Sequence, residues 1–196
     1  MLKIYSENEK GKLTRGYKTD SGADMRVIGF VKVKPTYEDI DGIKVRTGGT
    51  LEQLVRFEND NEFVIVQPHE TILLHTGIHA LNAYDAYFPE NSDQYLTEIQ
   101  SRPRSGLSLK LGLHVHLGTI DQSYAGSIGV IATNLNNEPI KICAFERVGQ
   151  MVENPIHITN QFEYIDKTQF DKMIENKKAQ EENTRAENGY GSTGQK

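Results

Sequence analysis

Short apolar runs separated by turn residues are the feature that most constrains the fold of this chain. The runs are rich in Val, Ile, Thr and aromatic residues, and Gly, Pro or Asn residues stand between them, a pattern typical of strands. They are Phe63–Gln67, Thr71–Leu74, Leu113–Leu117, Ser127–Thr133 and Pro139–Phe145. Strands of this length and spacing predict an all-β barrel or sandwich.

Two segments on the N-terminal side of these runs carry local signals. Asp41-Gly42 lies between Tyr37–Ile40 and Ile43–Arg46, and Asp-Gly favours the positive φ angles of a type I′ turn, so we expect a hairpin there. The run Thr50–Phe57 begins with Thr-x-x-Gln, a capping-box pattern that predicts a short helix.

The pattern changes near residue 160. Thr168 with Asp171 three residues later predicts a helix cap, and Phe170, Met173 and Ile174 form one apolar stripe at helical spacing. The apolar stripe then fades, which predicts a frayed helix or mobile linker before a glycine-rich end. We therefore expect a β domain over residues 1–165, a helix or linker over 166–184 and an arm over 185–196.

Charge and composition exclude several classes of protein. The chain has 22 Lys and Arg against 27 Asp and Glu, a net charge of −5, which argues against stable nucleic-acid binding through a broadly basic surface. Its one cysteine, Cys143, lies in an apolar run and is expected in the core. No apolar run is long enough to span a membrane, so we expect a soluble, cytoplasmic protein. The six histidines show no zinc-like spacing.

Two central segments combine residues suited to phosphate chemistry. Arg104, Ser105 and Gly106 offer charge, a hydroxyl and free backbone amides for a phosphate clamp, or else an ordinary polar turn before a strand. Gly118–Gly126 is expected to form a hairpin, in which Asp121 acts as a general base or merely bonds its own turn, and Tyr124 is placed to wall a sugar or a ring.

Two later segments carry weaker signals. Arg147 and Gln150 are three residues apart, an arrangement that would also suit a solvated strand edge. Arg185 precedes a run of glycines, hydroxyls and one tyrosine, which fits either a nucleotide-covering lid or a linker. The run lacks the Lys and following helix of a P-loop.

In this order and spacing, these segments resemble the five motifs of the trimeric all-β deoxyuridine triphosphatase (dUTPase) family. Ser21–Met25 is similar to the first motif and Thr76-Gly77-Ile78 to a signature between the first and second. The resemblance implies a jelly-roll or β-barrel fold with a short C-terminal helix and a flexible glycine-rich arm. It also implies hydrolysis of dUTP to dUMP and pyrophosphate, with Mg²⁺ as cofactor and a homotrimer that shares its sites.

The resemblance also implies a role for each matching residue. Asp121 would be the catalytic base, Asp24 would contact the magnesium through water, and Tyr190 would stack on uracil. The remaining substrate contacts that it implies are Arg104, Ser105, Gly106, Gly118, Ile120, Tyr124, Gln150, Arg185, Gly191, Ser192 and Thr193.

The chain departs from the family pattern in several places. Tyr190 stands where Phe is commoner, and Ser123 and Ala125 replace the family's usual residues in the third motif. Extra residues lie at about 35–62, 82–97 and 166–183. Those at 35–62 and 166–183 motivate an alternative, a nucleotide-sensing regulatory protein that binds a partner through these insertions. A dCTP deaminase is disfavoured because Ile131 stands where that enzyme has its catalytic Glu.

Overall fold

The computed structural model describes residues 2–82, 96–121, 124–156 and 165–180, and most of them are in antiparallel strands. In chain order the elements are β1 (Leu2–Ser6), β2 (Ala23–Arg26), β3 (Gly29–Ile40), β4 (Ile43–Leu51), β5 (Val55–Arg56), β6 (Phe63–Val66), β7 (Thr71–Asn82), β8 (Leu96–Arg102), α1 (Ser105–Leu111), β9 (Leu113–Val115), β10 (Gly118–Ile120), β11 (Ile128–Asn134), β12 (Ile140–Cys143), β13 (Arg147–Ile156) and α2 (Lys167–Gln180).

The strands form three antiparallel sheets. The first has the order β4-β3-β7-β11-β9, with β1 paired to β7 and β5 paired to β3. The second has the order β10-β8-β13-β2, and the third pairs β12 with β6. Strands that lie side by side in these sheets are mostly distant in sequence. This is the arrangement of a jelly-roll-like all-β fold, as the resemblance implies.

Alternation along the strands builds the core. In β11 the odd-numbered face is more exposed, while Ile128, Val130 and Ala132 are buried, which is the period-2 pattern of a half-buried strand. Residues from all three sheets, including Met25, Leu74 and Ile142, join one apolar cluster. Cys143 ends β12 and is only partly buried.

The five predicted strands are confirmed, although β7 runs eight residues past Leu74. The Asp41-Gly42 hairpin is also confirmed: Ile40 pairs with Ile43, and Asp41 and Gly42 have φ of 53° and 79°, as a type I′ turn requires. The hairpin projects Ile40 and Ile43 into solvent.

The predicted helix over Thr50–Phe57 is wrong. Thr50 and Leu51 end β4, and Val55–Arg56 pair with Phe30 and Gly29 of β3. The Phe57 amide donates to the Ile28 carbonyl, and the Phe57 ring is buried beside Phe30 with centroids 5.8 Å apart. Sheet pairing and burial of this ring outweigh a weak capping preference.

Two further predictions need correction. Gly118–Gly126 is not a simple hairpin, because β10 pairs with β8 while β11 pairs with β7 and β9. The segment after Pro103 enters a helix rather than a strand: α1 buries Leu107 and ends at Gly112, whose φ of 62° is left-handed and suits glycine.

Residues 1–158 and 159–196 form two separate units, and α2 belongs to the second. Its capping box differs from the predicted one: Asp166 Oδ1 accepts from the Gln169 amide at 2.8 Å, and Gln169 Oε1 accepts from the Asp166 amide at 3.0 Å. Asp166, not Thr168, therefore caps the helix. Within the described residues, no helix is long and apolar enough to cross a membrane.

Candidate active site

A buried carboxylate joins three of the sequence motifs. Asp24 on β2 is only 5% exposed, and its Oδ1 lies 2.9 Å from Arg104 Nε while its Oδ2 lies 3.2 Å from Arg147 Nη1. The Gln150 side-chain amide donates to Oδ1 at 3.4 Å. A buried carboxylate is costly unless it is paired and hydrogen-bonded, and these three partners meet that need. We call Asp24, Arg104, Arg147 and Gln150 the Asp24 cluster.

A β-bulge explains how Arg147 and Gln150 reach the same carboxylate. Residues three apart on a regular strand point to opposite faces. In β13, however, Arg147 pairs with Arg26 while Gly149 pairs with Met25 and Gln150 with Asp24, so Val148 is the extra residue of the bulge. Val148 is buried inward, and the two polar side chains share the face that carries Asp24.

The second motif supplies Arg104 from the residue that precedes α1. Arg104 Nη1 also donates to the Arg147 carbonyl at 3.2 Å, so its guanidinium is held from two sides. Ser105 and Gly106 are exposed in the first turn of α1, and a Cβ added to Gly106 would meet no atom within 4 Å. The space beside Gly106 is therefore open to a ligand.

The Asp24 cluster has an excess of positive charge. One carboxylate faces two guanidinium groups, and a guanidinium has five N–H donors. Asp24 pairs with Nε of Arg104 and with Nη1 of Arg147. These contacts orient the planes of both guanidinium groups and leave other N–H groups of each to donate to a further anion. Planar guanidinium groups held in this way bind phosphate oxygens well.

The third motif forms a compact turn after β10. The Tyr124 amide donates to the Asp121 carbonyl at 3.0 Å, and the Tyr124 hydroxyl donates to the Ser127 carbonyl at 3.1 Å. A Cβ at Gly126 would lie 2.5 Å from the Tyr124 hydroxyl oxygen, so Gly126 is needed beneath the ring. Asp121 and Tyr124 are both exposed, whereas Gly118 and Ile120 are half-buried on β10.

Asp121 does not meet the Asp24 cluster within one chain. In the sheet β10-β8-β13-β2, Asp24 aligns with Gln150 and Arg102, while Asp121 follows Ile120, which pairs with Ile99. Three strand spacings and about four residues of offset place the two carboxylates roughly 15–20 Å apart. The predicted site residues thus fall into two groups.

The fifth motif lies outside the described residues. It contains Arg185, Tyr190, Gly191, Ser192 and Thr193. Residues 83–95 of the extra segment at 82–97 and residues 181–183 of the segment at 166–183 also lie outside the described residues. Their predicted roles stay predictions.

Sequence reasoning gave no role to Arg147, although the motif contains it. Its contact with Asp24 depends on the bulge, and a residue count alone does not reveal a bulge. The signature Thr76-Gly77-Ile78 is structural: Thr76 is fully buried and its hydroxyl donates to the Ile128 carbonyl at 2.6 Å, while Gly77 has a φ of 64°. His114 and His116 contact each other edge to face on β9 and just beyond it.

Comparisons with known proteins point to one family. A model of the dUTPase family matches residues 102–194. The deoxyuridine 5'-triphosphate nucleotidohydrolase of Clostridium novyi is 38% identical over 135 residues, which cover 68% of this chain and 78% of the relative. That of Fusobacterium nucleatum is 34% identical over 167 residues, 84% of this chain and 97% of the relative. This chain belongs to the dUTPase family.

Solved structures of phage dUTPases have the same fold as this chain. A dUTPase of Staphylococcus bacteriophage 80alpha, solved with dUpNHpp, aligns over 100% of this chain and 99% of its own at a TM-score of 0.55 and 19% identity. A dUTPase from phage phi11 of S. aureus, described for its coordination of a structural Mg(II) ion, aligns over 85% and 97% at a TM-score of 0.56 and 18% identity. These likenesses concern the fold.

Proposed function

We propose that this chain hydrolyses dUTP to dUMP and pyrophosphate, in a cytoplasmic nucleotide pool. The observation that carries the proposal is the Asp24 cluster, in which one buried carboxylate orients two guanidinium groups in a member of a family whose named relatives are deoxyuridine 5'-triphosphate nucleotidohydrolases. A triphosphate is the kind of anion that such a cluster recognises.

The triphosphate would bind beside α1. Arg104 and Gln150 donate to phosphate oxygens, the Ser105 hydroxyl faces the leaving pyrophosphate, and the open space at Gly106 admits the chain of phosphates. Gly118, Ile120 and Tyr124 form the wall for the nucleoside. From the fifth motif, Arg185 meets the γ-phosphate, Tyr190 stacks on uracil, and Gly191, Ser192 and Thr193 close over the phosphates as a lid.

Asp121 would act as the general base. Its exposed carboxylate takes a proton from a water whose oxygen attacks the α-phosphorus, and the bond from that phosphorus to the oxygen bridging to the β-phosphate breaks. The electron pair of that bond leaves with pyrophosphate. Because water attacks the phosphorus directly, the reaction needs no covalent intermediate with the protein. Positioning and charge provide most of the rate enhancement in reactions of this type.

The residues fit a magnesium ion that arrives with the triphosphate. Mg²⁺ usually keeps several waters and binds one or two carboxylates together with substrate phosphates. No group of three or more His, Cys, Asp or Glu among the described residues could hold a metal by itself. Asp24 Oδ2 accepts one bond from Arg147, and a carboxylate oxygen has a second lone pair for a metal-bound water. When bound, the ion neutralises phosphate charge.

We also propose that neighbouring chains of a homotrimer share each site. The distance of roughly 15–20 Å between Asp24 and Asp121, estimated from strand spacing, is too long for one triphosphate to bridge with its α-phosphorus at Asp121 and its other phosphates at Arg104 of the same chain. A second chain that brings its Asp121 to this Arg104 resolves the separation, and symmetry repeats the arrangement.

The replacement Asp121→Asn tests the chemistry. Loss of a general base lowers turnover by about 10²–10⁴, while the affinity for dUTP stays close to wild type because the Asp24 cluster is intact. Pyrophosphate release and equilibrium binding are the two readouts. Asp39→Asn in the β3–β4 hairpin is the matched control and should retain wild-type turnover. A fully active Asp121→Asn protein would remove this residue from the mechanism.

Mixing two inactive variants tests the shared site. Asp121→Asn and Arg104→Ala chains are unfolded together and reassembled in equal amounts. About a quarter of wild-type activity should return, because about a quarter of the sites take Asp121 from an Arg104→Ala chain and Arg104 from an Asp121→Asn chain. The double variant mixed with itself is the control and should stay inactive. If the mixture also stays inactive while sedimentation shows assembled oligomers, both residues act from the same chain.

The β3–β4 hairpin favours a second role as the binding site of a regulatory protein. It carries Tyr37, Ile40 and Ile43 with large exposed areas, and its outer half, from Pro35, pairs only within the hairpin. Removing residues 36–48 should leave turnover unchanged and abolish capture of such a partner in a pull-down. Deamination of dCTP is disfavoured, because Ile131 is an apolar side chain on β11 and cannot shuttle protons.

A further inference from the structure

A second group of titratable side chains lies beside the Asp121 turn. Glu7, just after β1, is in contact with Arg56 of β5 and with His75 and His79 of β7. Glu7 Oε2 lies 3.2 Å from His75 Nε2, and Glu7 Oε1 lies 2.8 Å from His79 Nε2. We call these four residues the Glu7 cluster. The Glu7 side chain is only 18% exposed.

Gly77 seats Glu7 in this position. The Glu7 amide donates to the Gly77 carbonyl at 2.9 Å, and a Cβ on Gly77 would lie 3.1 Å from the Glu7 Cβ and 2.4 Å from Ile28 Cδ1. The left-handed φ of Gly77 also favours glycine, which adopts this conformation without a steric penalty from a Cβ. The same signature that shapes β7 therefore brings the carboxylate to the two histidines.

Both histidines extend from Glu7 to the turn of the third motif. His79 Nδ1 lies 2.9 Å from the Ala125 carbonyl oxygen, and His75 Nδ1 lies 3.3 Å from the Ser127 hydroxyl. Ala125 is next to Tyr124, whose amide donates to the Asp121 carbonyl. Glu7 and His79 are thus linked to the backbone of the proposed base by the hydrogen bond to Ala125, the peptide bond to Tyr124 and the Tyr124 amide bond to the Asp121 carbonyl.

The partners of His79 fix its charge. A carbonyl and a carboxylate only accept hydrogen bonds, so both ring nitrogens must carry protons if both bonds form. With both bonds formed, His79 is an imidazolium. The Ala125 carbonyl first, and the Glu7 carboxylate second, raise the pKa of His79 above its usual value of 6.5.

We infer that His79, held between Glu7 and Ala125, is a positioning residue for the turn that carries Asp121 and Tyr124. The inference rests on the proposed function, because it assigns His79 to the reaction in which Asp121 is the base. Among the described residues, Glu7 faces His79 directly, Arg56 and His75 contact the same carboxylate, and the Tyr5 ring of β1 lies 5.4 Å from the His79 ring.

Loss of one proton would release the turn. A neutral His79 can donate only to Glu7 or only to Ala125, so as pH rises through its pKa one of the two bonds is lost. Small misplacements of a catalytic group lower turnover strongly, by about 10²-fold for 1 Å. The phosphate contacts of Arg104 and Arg147 lie outside this turn, so kcat should fall more than the affinity for dUTP.

The pH dependence of kcat with dUTP tests the inference. Wild-type kcat should fall as pH rises through the pKa of His79. Glu7→Gln should match wild type near pH 6 and lose activity at a lower pH than wild type, since the carboxylate no longer favours the imidazolium. His79→Gln should reduce kcat about tenfold or more with a smaller change in KM, and should lack this alkaline limb.

His114→Gln is the matched control, because His114 lies on β9 and contacts His116; it should retain the wild-type pH profile. The inference is overturned if His79→Gln keeps wild-type kcat at every pH, or if Glu7→Gln leaves the alkaline limb where it is.

Two measurements that do not depend on turnover separate this inference from the proposed function. Nitrogen NMR of labelled histidine should show a pKa of His79 above 6.5, with both ring nitrogens protonated below it, and Glu7→Gln should shift that titration to lower pH. Amide exchange over residues 124–127 should rise in His79→Gln and not in His114→Gln. A neutral His79 with unchanged exchange refutes the inference even if dUTP is hydrolysed; an inactive wild type with both signals present refutes only the proposed function.

Discussion

Replacing Asp24 with Asn removes the charge that organises the Asp24 cluster and keeps the shape of the side chain. Asn retains one oxygen for Arg104 but opposes Arg147 with an amide N–H group. Loss of the ion pair with Arg104, whose side chain is 25% exposed, costs about 1 kcal/mol. Loss of the ion pair with Arg147, whose side chain is 46% exposed, costs about a further 0.5 kcal/mol of stability. We expect the free energy of unfolding to fall by about 1.5–2 kcal/mol.

The effect on turnover should be larger than the effect on stability. Arg104 keeps one side-chain oxygen and the Arg147 carbonyl, but the Arg147 guanidinium loses its partner, and misplacement by about 1 Å costs about 10² in kcat/KM. Urea unfolding and pyrophosphate release measure the two effects. Asp60→Asn is the matched control, since Asp60 pairs with Lys10 at the surface and its loss should change neither by much. Asp24→Asn with wild-type kcat/KM would show that Asp24 does not organise the phosphate site.

Three further predictions follow from individual contacts. Gly106→Ala should fold with a stability equal to wild type or up to about 1 kcal/mol higher, because Ala favours a helix and its Cβ meets no atom within 4 Å, yet it should raise KM for dUTP by narrowing the ligand space. Hydrogen bonds from His79, Arg56 and His75 lower the pKa of Glu7 to about 2, although partial burial opposes the shift. The Glu7 carboxylate therefore stabilises the fold above pH 4.5, and this stabilisation is lost as pH falls towards 2. The difference in unfolding free energy between wild type and Glu7→Gln, up to about 3 kcal/mol, should shrink over that range in acid melts. Deleting residues 186–196 should abolish turnover and leave the oligomer folded by sedimentation; an active truncated protein would refute the lid.

The sequence predicted the elements whose patterns are local. Short β-branched runs alternate inward and outward, so β6, β7, β9, β11 and β12 were found, and the Asp41-Gly42 turn carries its geometry in two residues. The helix at Thr50–Phe57 failed because burial of the Phe57 ring beside Phe30 is a contact between distant parts of the chain, which no local cap can report.

The motifs predicted which residues form the site, but not the contacts that bring them together. The motifs identified Asp24, Arg104 and Gln150 as site residues, whereas Arg147 joins them only through the Val148 bulge, which sets its side chain on the same face. Glu7 lies in a polar segment with no recognisable pattern, and its partners are about 50–70 residues away in sequence. Only the pairing of β1 with β7 shows that Glu7 faces His79.

The most direct test of the proposed activity is pyrophosphate release by the full chain from dUTP, dTTP, dCTP and UTP, each with and without magnesium. We predict release from dUTP alone, dependent on magnesium, with no ammonia formed from dCTP. Equal hydrolysis of all four nucleotides, or none of dUTP by a folded oligomer, would contradict the account.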